Sequence, residues 1–87
     1  MNMLDIFKSV MIDGMEVVKT KELANKYKVT LKFKGSENTI EFNKTCAPTY
    51  EVSYCKGAVA TALSSIYINL GDFENAQKWV DKVNGQY

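Results

Sequence analysis

The stretch KYKVTLKFKGSENTIEFNKT, Lys26 to Thr45, decides the fold. Tyr27, Val29, Leu31 and Phe33 alternate with Lys26, Lys28, Thr30, Lys32 and Lys34. After GSEN, Ile40 and Phe42 alternate with Thr39, Glu41 and Asn43. A period of two puts the apolar side chains on one face of a strand and the polar ones on the other. The two runs therefore form an antiparallel hairpin with one apolar and one wet face. If Gly35 to Asn38 make a four-residue loop, Lys34 pairs with Thr39. Phe33 then faces Ile40 and Leu31 faces Phe42, while Lys32 meets Glu41 as an opposite-charge pair.

Upstream, residues 2–11 place Leu4, Phe7 and Val10/Met11 at helical spacing, ahead of a turn at Asp13-Gly14. Residues 15–23, MEVVKTKEL, alternate only weakly, so the expected sheet has two or three strands. Downstream, a long helix runs from about Pro48, which suits a first-turn position, to Leu70. Val52, Cys55, Val59, Ala62/Leu63, Ile66 and Leu70 form its apolar stripe. The other side carries Tyr50, Tyr54, Gly57, Thr61, Ser64, Ser65 and Ile68, and only Glu51 and Lys56 bear charge along the whole helix. A helix so poor in charge is central to the fold or lends its second face to a partner.

Gly71 stops this helix and Asp72 caps the next, in which Phe73, Ala76, Trp79/Val80 and Val83 share a face before Gly85. Tyr67, Leu70-Gly71-Asp72, Phe73 and Ala76 sit where a tetratricopeptide-repeat hairpin places its matching residues, and the run resembles one such unit. That unit carries Ser64 where the repeat has its usual glycine, and no second copy follows, whereas arrays of this kind need about three. The resemblance therefore implies a helical hairpin and no peptide-binding groove of the repeat type.

At 87 residues, 46% hydrophobic and 24% charged, the chain reads as one domain, 1–87. The expected fold is α+β: an N-terminal helix, a two- or three-stranded antiparallel sheet, then a long helix and a shorter C-terminal helix packed on its apolar face. Leu31, Phe33, Ile40, Phe42, Val59, Leu63, Ile66, Leu70 and Trp79 are the expected core. Asp5 and Lys8 interrupt the first apolar stretch, and no segment approaches the roughly 20 apolar residues of a membrane span. These features predict a cytoplasmic protein without membrane partners, with both cysteines reduced.

All 11 basic residues are lysines; there is no arginine and no histidine. That removes the imidazole base of Ser-His and Cys-His pairs, the histidine ligands of the usual zinc sites and the bidentate guanidinium fork. Cys46 and Cys55 stand apart from any CxxC spacing, and Cys55 lies on the apolar stripe, so both read as small buried groups. Asp72, Glu74 and Asp81 with Lys78 and Lys82 are helix-surface pairing. Asp13-Gly14 begins no calcium loop, and no phosphate-binding glycine motif is present. The expectation is no enzyme, no cofactor and no metal.

Two binding readings remain. In the first, the protein docks on a macromolecular partner through Tyr50, Tyr54, Gly57, Thr61 and Ile68, tyrosine being a favoured interface anchor. Lysine- and asparagine-rich, arginine-free usage and small size fit an accessory or inhibitor protein from a phage or mobile element. Inhibitors of a host system such as a CRISPR defence complex belong to that class. In the second, Lys26, Lys28, Lys32 and Lys34 contact nucleic-acid phosphates. Residues 19–44 hold seven lysines against three glutamates. The wet face, however, offers no aromatic for base stacking. Homodimerisation through the long helix is compatible with both.

Overall fold

The hairpin register is set by one backbone detail. In the computed structural model, which describes residues 2–83, Lys34 and Gly35 have φ of 52° and 78°. Two successive positive φ values are the signature of a two-residue type I′ turn, whose twist matches the strands it joins. Strand β2 (Lys26–Phe33) thus turns directly into β3 (Ser36–Asn43). The pairs are Phe33 with Ser36, Leu31 with Asn38, Val29 with Ile40 and Tyr27 with Phe42. This corrects the four-residue loop and the pairs Lys34–Thr39, Phe33–Ile40, Leu31–Phe42 and Lys32–Glu41. The tighter turn extends β3 to Ser36 and gives two opposite-charge cross-strand pairs, Lys32–Glu37 and Lys28–Glu41. The two registers differ by an even number of residues, so every side chain keeps its expected face.

A third strand, β1 (Glu16–Glu22), pairs antiparallel with β2, giving the order β1-β2-β3. Its register slips between Val17 and Lys19, a bulge at Val18. Only Val17 of this strand is even partly buried, which explains its weak alternation in sequence.

Helix α1 (Met3–Ser9) starts at Asn2, whose side chain accepts the Asp5 N–H at 2.8 Å. Its Phe7 stacks on Phe42 with ring centroids 4.6 Å apart. A 3₁₀ turn (Pro48–Tyr50) leads into α2 (Glu51–Asn69), and α3 (Phe73–Asp81) turns back along it. Asp72 caps α3 by accepting the Asn75 N–H at 3.2 Å and the Asn75 side-chain amide at 2.7 Å, bonds that hold its carboxyl below the ordinary value. Gly85 lies outside the described residues.

The fold is α+β, with the long and short helices packed on the three-stranded sheet. Val29 and Leu31 from the sheet, Phe7 from α1, and Cys55, Val59, Leu63 and Ile66 from α2 are fully buried. Phe33 and Phe42 join them, while Ile40 and Trp79 pack partly buried against the cluster. Leu70, expected in the core, is 42% exposed, and Val52 and Phe73 are also exposed. Val52 lies in the first turn of α2, Leu70 caps its C-terminus and Phe73 opens α3, all at the ends of their helices. Tyr67 and Ala76, which carry the repeat resemblance, serve internal packing. Tyr67 meets Phe33 edge-on at 5.7 Å, and the Ala76 carbonyl accepts the Ser64 hydroxyl at 3.2 Å.

Candidate functional site

Glycine inside a helix weakens it by about 1 kcal/mol relative to alanine, yet Gly57 stands in the middle of α2 where an added Cβ would meet nothing within 4 Å. The space it leaves is part of a groove of about 360 Å³ between β3 and α2. Its walls are Ile40, Glu41 and Phe42 from β3, and Ser53, Tyr54, Gly57, Ala58 and Thr61 from α2, with Val83 beyond α3 at one end. Helical spacing puts Tyr54, Gly57 and Thr61 on one strip of α2, and β3 runs beside that strip. The Thr61 hydroxyl is tied back to the Gly57 carbonyl at 2.9 Å.

Tyr54 does more than line this groove. Its hydroxyl accepts the backbone N–H of Asn43 at 2.8 Å. In a hairpin closed by a two-residue turn, the pair flanking the turn is hydrogen-bonded and the pattern then alternates. Ser36, Asn38, Ile40 and Phe42 therefore direct their backbone groups to β2. Glu37, Thr39, Glu41 and Asn43 direct theirs away from it, and the bond to Tyr54 fits this assignment. Among the described residues the outer edge of β3 pairs with no strand; it borders the groove and is closed at its Asn43 end by a tyrosine hydroxyl.

Of the expected interface residues, Tyr54, Gly57 and Thr61 come together in the groove. Tyr50 and Ile68 lie outside it toward the two ends of α2, 64% and 51% exposed. The edge of β3 was not legible as part of this site, because it depends on the register and on which strand lies outermost.

The lysines divide differently from expectation. Lys26 forms an ion pair with Glu41 at 3.1 Å, Lys32 stands opposite Glu37, and Lys34 lies in the turn with its ammonium 5.6 Å from the Phe33 ring centre. Lys28 instead gathers with Lys19 and Lys21 of β1. With Thr30 and Thr39 they line a concavity of about 270 Å³ on the outer sheet face. Lys21 is directly opposite Lys28, a like-charge pair, while Glu41 stands opposite Lys28 on its other side. Lys19 and Lys21 were counted in the lysine-rich segment but not among the contact residues, because residues 15–23 alternate too weakly to fix a strand beside β2.

Both cysteines were expected to be buried; Cys55 is, while Cys46 is only partly so, in the loop ahead of α2. Cys55 is fully buried, its thiol donating to the Met3 carbonyl at 3.7 Å. Burial, with Cys46 and Glu51 nearby, pushes that thiol up to about 11. Among the described residues no cluster of carboxylates and thiols could hold a metal, and no helix is long and apolar enough to cross a membrane. No family model matches the sequence, and no curated protein or solved structure is significantly similar to it.

Proposed function

We propose that the protein is a non-enzymatic binding protein that docks on a partner protein through the groove between β3 and α2. One observation carries this reading: a helix glycine, where an added Cβ would meet no atom within 4 Å, lines a surface groove beside a strand edge that no described residue covers. A residue that costs stability without serving the fold is expected where function needs the space. The low charge of α2 and the exposed Tyr50, Val52 and Ile68 supply apolar contact area on the same helix. Within this class, the small single domain and its arginine-free, lysine-rich usage support an accessory or inhibitor protein of a phage or mobile element. A host CRISPR defence complex is the kind of target such an inhibitor takes. The partner is met in the cytoplasm, and no cofactor takes part.

A second reading rests on the Lys19, Lys21 and Lys28 cluster, which offers three ammonium groups to nucleic-acid phosphates. Affinity capture from a lysate of the source organism, split into nuclease-treated and untreated halves, separates the two. Docking predicts a defined protein retained after nuclease. Recovery that disappears with the nucleic acid, and binding that falls steeply with salt, would put the lysine face first.

A further inference from the structure

The two edges of the sheet are treated differently. β1 is blunted in the ways proteins usually guard an edge, with a bulge at Val18 and lysines at 19 and 21. β3 has neither: it pairs with β2 without a register shift along its whole length and contains no lysine and no proline. Glu37, Thr39 and Glu41 present outward backbone donors and acceptors there, and among the described residues no partner takes them. The groove begins where this edge ends. Glu41 belongs to the wet face, so its place in the groove wall puts the strand edge itself in that wall.

We propose that β3 receives an added strand, an extended segment of the partner protein in which apolar and basic residues alternate. This rests on the docking function proposed above and specifies its mode. Outward backbone groups of β3 hydrogen-bond the incoming strand, as in other cases of strand addition. Alternate side chains of that strand then point to opposite faces. Those on the inner side enter the groove over Gly57 and Ala58, where small residues leave room for aliphatic side chains. Those on the outer side meet the row Glu37, Thr39, Glu41. Glu37 has no ion pair among the described residues, and Glu41 has one on Lys26 at the far side from the edge. An acidic row at the rim selects basic residues and repels acidic ones.

A second copy of this chain fits less well. Any symmetric pairing of β3 with β3 sets the four glutamates of two copies on adjacent strands, and centring it on Thr39 puts Glu37 opposite Glu41 twice. The edge of β1, though basic, is broken by its bulge. Nucleic acid is disfavoured at this rim by the same carboxylates.

The test uses isotope-labelled protein and a defined probe, a seven-residue blocked peptide alternating lysine and valine, with a glutamate–valine counterpart as control. Amide exchange is followed by NMR. At peptide ten times its Kd, the Glu37, Thr39 and Glu41 amides should exchange about tenfold more slowly, the unbound fraction setting the limit. The glutamate–valine peptide should give no protection. Thr39→Pro removes an outward donor while leaving the β2–β3 ladder intact, and should abolish the protection. Gly57→Leu, a good helix former that fills the groove, should do the same and keeps the test decisive if the proline variant does not fold. Protection elsewhere, equal response to both peptides, or no saturable binding overturns strand addition. Slowed exchange that follows protein concentration without peptide also overturns it, in favour of self-association. If the peptide leaves β3 untouched while Gly57→Leu still loses a captured protein partner, groove docking stands and strand addition falls. If neither responds, both fall.

Discussion

Replacing Gly57 with alanine should make the protein more stable, by an amount that follows from the geometry. Gly57 lies in the interior of α2, away from both caps, with no positive φ to lose. The added methyl would meet no atom within 4 Å, so neither overpacking nor repacking enters. What remains is the backbone difference between the two residues in a helix, about 0.5–1 kcal/mol in favour of alanine. For a domain of this size, 1 kcal/mol moves Tm by roughly 4–8 °C. The expected rise is therefore about 2–8 °C, read by far-UV circular dichroism on heating and checked by the urea midpoint at unchanged slope. A fall in Tm would mean that β3 and α2 close on each other at Gly57 in solution. The groove, and with it the docking proposal, would then lose its basis.

Other perturbations test other parts of the structure. Leu31 is fully buried on the central strand, so Leu31→Ala should cost about 2–5 kcal/mol, and Leu31→Lys should abolish the cooperative thermal transition. Gly35 carries φ of 78°, so Gly35→Ala should lower stability by about 1–2 kcal/mol in urea unfolding; no loss would refute the two-residue turn. Cys46 is part-exposed and Cys55 buried, so alkylation under native conditions should label Cys46 first and reach Cys55 only on unfolding. The Cys55 thiol stands at about 11 when folded against 9.0 as a free group. The unfolded chain therefore ionises first as pH climbs, and this contribution to stability falls between about pH 9 and 11. Cys55→Ala should flatten that part of the pH dependence of the urea midpoint.

The faces of the hairpin were readable from Tyr27 to Phe42 because burial on one side imposes a period of two. Its register was not, since an even shift leaves every face unchanged and the choice rested on Lys34 entering the left-handed region, where lysine is uncommon. Strand β1 was ambiguous for the opposite reason: exposed on nearly all its residues, it is under little pressure to alternate. Val52 and Leu70 continue the stripe of α2 in sequence, but periodicity carries no record of which turns of a helix stay exposed. The same holds for the site. The strip Tyr54, Gly57, Thr61 was visible as an uncharged helix face. That it faces the outer edge of β3 follows only from strand order, and the role of Lys19 and Lys21 beside Lys28 follows only from β1 pairing with β2.

The most direct test of the docking claim compares the wild-type protein with Gly57→Leu in capture from one nuclease-treated lysate, quantified by mass spectrometry. Gly57→Leu should melt at or above the wild-type temperature, yet recover at least about tenfold less of the partner, a difference of roughly 1.4 kcal/mol in binding. Equal recovery by a folded Gly57→Leu protein would contradict docking through the groove between β3 and α2.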